Sequence, residues 1–262
     1  MQSIGSVLND LFTPLSTAEK HCEKHGIDYT EQVFKRFTRG CPQCAAEAEE
    51  ARKLDEAEKR KLAEREWYQK QIAERIGDSR IPLRFREKTV GGYRVENEQQ
   101  RYIVERVKAY ATEFNDGSHS GRCMTFLGNA GTGKTHLACA IGRHVIRNCN
   151  GVARFTSVAE INRLVREAKS FESEYTETDV IEAFGGYDLL IIDEVGVQSG
   201  TEAESRALFD VFNERYQNLK PTVLISNLDA DGFKAAVGDR IADRVKEDGG
   251  EVLVFDWGSS RG

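Results

Sequence analysis

A chain of 262 residues, 39% hydrophobic and 31% charged, has room for one α/β domain of ordinary size, a smaller unit and a soluble surface. The formal net charge of −6 excludes a surface that grips nucleic acid everywhere, so any DNA contact must be local. No apolar run approaches the roughly 20 residues a membrane span needs, and Met1-Gln2-Ser3-Ile4-Gly5 lacks a signal-peptide pattern, so the expected location is cytoplasmic.

In such a compartment six cysteines point to metal or core thiols rather than to disulfides. Cys22-Glu-Lys-His25 and Cys41-Pro-Gln-Cys44 form two clamps, each with the two-residue spacing that lets a tight turn aim two soft ligands at one tetrahedral Zn²⁺. His21 is the alternative to His25. Four ligands without a spare carboxylate suit a closed structural site, and a small unit short of apolar core would draw folding energy from the metal. Residues 1–50 are therefore expected to form a zinc-binding module. Cys123, Cys139 and Cys149 show no such spacing and read as core or incidental.

Residues 45–77 are rich in Ala, Glu, Lys, Arg and Gln, without Pro or internal Gly, and predict a long helix. The stretch 51–80 is either a solvated linker or a helix that docks on a partner through its Trp67 to Ile76 end. Pro82 disfavours helical geometry at Ile81, and a second domain, 81–262, begins there. It opens with an amphipathic helix over Glu98–Phe114. Short apolar strands at Cys123–Leu127, Val152–Thr156, Leu189–Ile192, Thr222–Ser226 and Val252–Phe255 then alternate with helices at 134–148, 158–170, 177–184, 202–218 and 232–246. Strands too continuously apolar to expose one face predict a parallel five-stranded sheet covered by helices on both sides.

The first of these strands runs into Gly128-Asn129-Ala130-Gly131-Thr132-Gly133-Lys134-Thr135, which fits the phosphate-cradling pattern G-x-x-x-x-G-K-[ST], with His136 continuing into the helix. Backbone N–H groups of such a loop point at the β-phosphate, Lys134 reaches the β/γ oxygens and Thr135 supplies a hydroxyl to Mg²⁺. The chain is expected to bind a nucleoside triphosphate. Tyr187 to Glu194 is a buried strand ending in two carboxylates. Asp193 would hold Mg²⁺, largely through water, and Glu194 would orient or deprotonate the attacking water. Asn227, after the next buried strand, would sense the γ-phosphate or position that water. Arg240 and Arg244 lie four apart on one helical face. An arginine here would cross to a neighbouring subunit's ATP, or else pair with Asp239 or Asp243.

In this order the motifs resemble AAA+ ATPases of the DnaC/IstB type, and most closely the DnaC-type replicative helicase loaders. Ile192 to Gln198 resembles the loaders' Walker B extension, and Phe85 to Phe114 the segment before their P-loop. Val254 to Arg261 resembles their closing strand and terminal arginine. The resemblance covers about residues 81–262. It implies Walker A at Gly128–Thr135, Walker B at Asp193 and Glu194, sensor 1 at Asn227, an arginine finger at Arg244 and sensor 2 at Arg261. It implies ATP, Mg²⁺ and an AAA+ P-loop NTPase with little or no lid domain, whose hydrolysis is slow and partner-stimulated. It further implies self-association through the ATP site on single-stranded DNA, and an N-terminal region that grips a DnaB-type hexameric helicase. The DNA-contacting insertion would fall at Ala168–Tyr175, where Lys169 would meet phosphate and Phe171 or Tyr175 would stack on bases; packing of these aromatics against helices is the other reading. The cysteine cluster departs from the enterobacterial loader pattern. Two other readings stand beside it: an IstB-like helper of DNA transposition, and a nucleotide-switch adaptor with little hydrolysis.

Overall fold

The computed structural model describes residues 13–118, 121–197 and 202–259. The chain divides into two compact units, 1–69 and 70–262. This division falls inside a helix, whereas the sequence suggested boundaries near residues 50 and 80.

The described part of the first unit begins with an antiparallel sheet that the sequence reading did not anticipate. It is formed by β1 (Ser16–Cys22), β2 (Ile27–Val33) and β3 (Thr38–Arg39), in the order β1-β2-β3. Most of β1 is exposed, so its alternation carries no apolar signal. Helix α1 (Pro42–Asp78) follows, starting on a proline whose missing N–H costs nothing in a first helical turn. Among the described residues up to 69, the buried hydrophobic side chains are Cys22, Phe34 and Cys41. Two of these three are cysteines, so apolar burial is a minor contributor to this unit.

Within the second unit, the last two turns of α1 bury Ile72 and Ile76 in the core. Of the Trp67 to Ile76 end that a partner could use, the two isoleucines are thus taken up by the protein's own core. Trp67 remains exposed. The helix stops at Asp78: the Ser79 hydroxyl donates to Ile76 O at 2.7 Å and Arg80 turns to φ 56°.

Helix α2 (Glu98–Thr112) is capped by Asn97, whose Oδ1 accepts from Gln100 N at 2.8 Å. Then come β4 (Met124–Gly128), α3 (Lys134–Asn148), β5 (Ala153–Ser157), α4 (Val158–Ala168), α5 (Glu177–Gly186), β6 (Leu189–Asp193), α6 (Glu202–Gln217) and β7 (Thr222–Ile225). Where one helix was expected over 232–246 there are two, α7 (Ala230–Val237) and α8 (Asp239–Arg244), before β8 (Glu251–Phe255) closes the sheet. The break is Gly238 at φ 80° and ψ 162°, a conformation open essentially to glycine alone.

All five strands are parallel, in the order β5-β6-β7-β4-β8. Leu189, Ile191, Met124 and Phe126 face one core with α2 and α3, while Leu190, Ile192, Cys123 and Leu127 face a second core with α4, α5 and α6. Burial on both faces is the reason the central strands β4, β6 and β7 read as nearly unbroken apolar runs. Because β6, β7 and β4 are neighbours, their carboxyl ends bring the loops after Asp193, Ile225 and Gly128 to one edge, where open α/β sheets bind ligands. Among the described residues, no helix is long and apolar enough to cross a membrane.

Candidate functional site

The loop from Gly128 to Gly133 leaves β4 through three glycines at φ 109°, 80° and 96° (Gly128, Gly131 and Gly133). At Gly128 there is no room for a side chain: a Cβ would lie 2.4 Å from Phe255 O. The loop is tied down by Asn129 N to Phe255 O at 2.8 Å, Gly128 N to Leu228 O at 3.1 Å, and Thr132 Oγ1 to Asn129 O at 2.8 Å. Lys134 is buried, and its Nζ donates to Gly128 O at 2.7 Å and Asn129 O at 2.6 Å. A buried ammonium held by loop carbonyls at a helix N-terminus is chemistry that suits a phosphate chain.

Thr135 Oγ1 donates to Asp193 Oδ2 at 3.0 Å, so both expected Mg²⁺ ligands share one corner. Burial pushes the Asp193 carboxyl above its ordinary pKa, against the N–H of Glu194 and the hydroxyl of Thr135. Glu194 N donates to Asp193 Oδ1 at 2.7 Å, and Glu194 itself sits at φ 60°, a left-handed conformation uncommon for glutamate. That turn leaves its side chain exposed beside the buried aspartate. Asn227 is exposed just beyond β7. Its neighbour Ser226 is buried and donates to Val195 O at 2.6 Å, linking the loop after Glu194 to the loop that carries Asn227. Sequence reasoning passed over Ser226 because a serine after a strand carries no spacing signal.

Two further groups shape the loop. Tyr93 donates its hydroxyl to Thr132 O at 2.5 Å, and its ring lies where a Cβ on Gly133 would be. Burial pushes the Tyr93 hydroxyl up to about 12, so it stays a donor. His136 turns away from the loop, with Nε2 3.0 Å from Thr89 O and its ring edge-on to Tyr93. Asn129 Nδ2 reaches Asp256 O at 3.1 Å, so the segment after β8 leans on the loop. Arg261 and Gln198 lie outside the described residues. Arg244 ends α8 and rests on α6 rather than pairing with Asp239, which is bound to Lys234 at 3.1 Å.

In the segment between α4 and α5, Phe171 is fully exposed, whereas Tyr175 helps line an apolar cavity of about 270 Å³ with Leu164, Val180 and Phe184. Tyr175 is thus partly packed against the helices and Phe171 is not. Lys169 pairs with Glu177 at 3.2 Å, so part of its charge is answered within the chain.

The first unit brings Cys22, His25, Cys41 and Cys44 together, with all four ligating atoms within 4.8 Å of one another. His25 Nδ1 lies 3.4 Å from Cys22 Sγ, 3.7 Å from Cys41 Sγ and 3.4 Å from Cys44 Sγ, and the Cys22 and Cys44 sulfurs are 3.7 Å apart. A tetrahedral metal with sulfur at about 2.3 Å and nitrogen at about 2.0 Å spaces its ligands by roughly 3.5–3.8 Å. Gly26 at φ 62° makes the turn that puts Cys22 and His25 on one side, and the Cys41 carbonyl accepts from Ala45 N at the start of α1. His25 Nε2 meets Glu47 Oε1 at 3.0 Å, the outer partner that fixes a ligating imidazole. His21 is instead paired with Asp28 at 2.6 Å and is not among the four grouped residues. Cys123 and Cys139 are buried in the second unit, apart from this cluster.

The family model described as IstB-like ATP binding protein matches residues 96–245, more than half of the chain. The replicative helicase loader DnaC of Buchnera aphidicola (subspecies Acyrthosiphon pisum) is 32% identical over 186 residues, covering 71% of this chain and 74% of the relative. A crystal structure of the DnaC helicase loader superposes with a TM-score of 0.60 at 19% identity, over 67% of this chain and 100% of that one. The replication initiator DnaA, solved with AMPPCP and single-stranded DNA, superposes at 0.56 and 22% identity over 68% and 52%. The two structural matches show a shared fold, and the sequence matches show the family: the chain is a member of the IstB/DnaC family of ATP-binding proteins, to which replicative helicase loaders also belong.

Proposed function

We propose that this protein loads a DnaB-type hexameric helicase onto single-stranded DNA during DNA replication, with ATP binding and hydrolysis switching its hold on both. The observation that carries the reading is the bond between Thr135 and Asp193, with Glu194 exposed beside it, in a chain 32% identical to a helicase loader across 74% of that loader. In this reading Gly128–Thr135 hold the triphosphate, Thr135 and Asp193 hold Mg²⁺ and Glu194 positions water. Asn227 faces the γ-phosphate. Bound Mg²⁺ would supply charge neutralisation between the phosphate oxygens. Arg244 acts on the nucleotide of a neighbouring copy, as does Arg261 on its own, so turnover depends on assembly and is slow in the isolated chain. The Cys22, His25, Cys41 and Cys44 cluster holds structural Zn²⁺ and shapes the N-terminal module that meets the helicase. Trp67, exposed further along α1, is a second side chain open to that partner.

The test is co-purification with DnaB-type helicases, with and without ATP, alongside phosphate release with and without single-stranded DNA. The expected result is a complex whose stability follows nucleotide state, and DNA-stimulated release that Glu194→Gln blocks while keeping ATP bound. No complex under either condition sinks the loader reading. Filaments on duplex DNA without a helicase complex would favour the transposition helper, and binding without turnover the adaptor.

A further inference from the structure

Helix α6 presents Phe209, Asn213 and Tyr216 along one stripe, at positions i, i+4 and i+7. Arg244 lies on that stripe. Its Nη1 donates to Asn213 Oδ1 at 2.5 Å, and its guanidinium stands 4.5 Å from the Tyr216 ring centroid and 5.8 Å from that of Phe209. Tyr216 is itself anchored, its hydroxyl bonded to Glu247. Arg240, one turn earlier on α8, also lies 5.8 Å over Phe209 but is exposed.

The chemistry of this seat is selective. Among the described residues no carboxylate pairs with Arg244; Asp239 is taken by Lys234. Its polar partner is a neutral amide, and its flanks are aromatic faces. Such a seat fixes the plane of the guanidinium through one N–H and two ring contacts, yet leaves its full positive charge and most of its five donors for another group. A structural arginine is commonly neutralised by an acid; this one is oriented without being neutralised.

We infer that Asn213 is the positioning residue of Arg244, setting the direction in which its guanidinium is offered to the triphosphate of a second copy of this chain. The inference rests on the proposed action of Arg244 across a subunit boundary. Phe209 and Tyr216 form the walls of the same seat. Asn213 does not touch the nucleotide; it acts through the arginine. A guanidinium released from this bond would sweep several rotamers, and misplacement of about 1 Å in such a group costs large factors in rate.

Subunit mixing tests it. Asn213→Leu removes the acceptor, and its DNA-stimulated phosphate release should fall about tenfold or more. Affinity of the protomer for a fluorescent ATP analogue should stay within about twofold, because its own P-loop is intact. Adding excess Lys134→Ala protein, dead at its own site but carrying a correctly seated Arg244, should restore most of the lost turnover. A second readout is sedimentation with a slowly hydrolysed ATP analogue, where Asn213→Leu should assemble more weakly than the parent. Arg244→Ala, with and without Lys134→Ala, runs in parallel. Wild-type turnover and assembly by Asn213→Leu, with a slow Arg244→Ala that mixing rescues, overturns the positioning role and leaves the trans arginine standing. A slow Asn213→Leu that mixing does not rescue marks a merely structural residue and also overturns it. Arg244→Ala that keeps full turnover, or is slow and not rescued, overturns the underlying reading itself.

Discussion

Thr135 and Asp193, 58 residues apart, meet through a hydrogen bond of 3.0 Å from the threonine hydroxyl to the carboxylate. Thr135 lies in the first turn of α3 and Asp193 closes β6, so the contact exists only because β4 and β6 flank β7 and end at the same edge of the sheet. The bond prepares a hydroxyl and a carboxylate as a pair for one cation, and it partly offsets the burial that raises the aspartate's pKa.

Replacing either member should therefore separate metal use from folding. In Thr135→Ala, Mg²⁺-dependent phosphate release should drop by about 100-fold or more, while nucleotide binding without Mg²⁺ changes little. Asp193→Asn keeps the shape and the bond from Glu194 N, and its amide can donate to the Thr135 hydroxyl in place of the present bond, but it loses the charge; it should give the same kinetic loss with a nearly unchanged melting temperature. Retained Mg²⁺ dependence in both variants would remove the pair as the metal corner.

Metal removal should act on one unit. With three buried hydrophobic side chains among its described residues, the first unit lacks the apolar core to stand alone, so chelation should unfold its sheet while the second unit melts as before. Metal analysis should return one Zn²⁺ per chain, and none for Cys44→Ser. Glu47→Ala, which frees His25 Nε2, should keep the metal but weaken it by about 10- to 100-fold in a chelator competition.

The buried Arg215 gives a stability prediction. It donates to Phe184 O at 2.7 Å, Tyr187 O at 2.8 Å, Pro221 O at 2.6 Å and Thr222 Oγ1 at 3.0 Å, stitching the end of α5 to the starts of β6 and β7. Burial without a carboxylate partner pushes its pKa down to about 10, still charged at neutral pH. Arg215→Met would leave those carbonyls buried and unpaired, at a cost of about 3–4 kcal/mol. Thermal denaturation should show a melting temperature lower by roughly 10 °C.

Phe171 offers the opposite case, an aromatic with no burial to lose. Phe171→Ala should leave the melting temperature within about 1 °C. If its ring stacks on a base, affinity for a fluorescent single-stranded oligonucleotide should fall by about 5- to 100-fold, the worth of one stacked base. Tyr175→Ala, which opens the apolar cavity, should instead lower stability.

Much of this was legible beforehand. The P-loop announces itself because its glycines, lysine and threonine are chemically obligatory and contiguous. The three central strands β4, β6 and β7 were readable because both faces are buried, and α3 because its start is set by Gly133 and Lys134. Other features were not. The split of the last helical segment turns on one torsion at Gly238, and the hairpin of the first unit exposes most of β1, so no apolar alternation marks it. Ile72 and Ile76 looked available to a partner, since a helix's sequence does not say which of its apolar residues its own domain will claim.

By itself, then, the sequence determined which chemical groups are present and which neighbours along the chain act together: the phosphate loop, the acid pair at a strand end, the two zinc-spaced clamps. Those groups are local, and local spacing encodes them. Only the tertiary structure decided that Thr135 meets Asp193, that His25 rather than His21 completes the cluster, that Ser226 ties to Val195, and that Arg244 rests on Asn213 without an acid. Each of these is a contact across sheet edge, turn or helix stripe, set by packing of distant segments, and packing leaves no signature in any one segment.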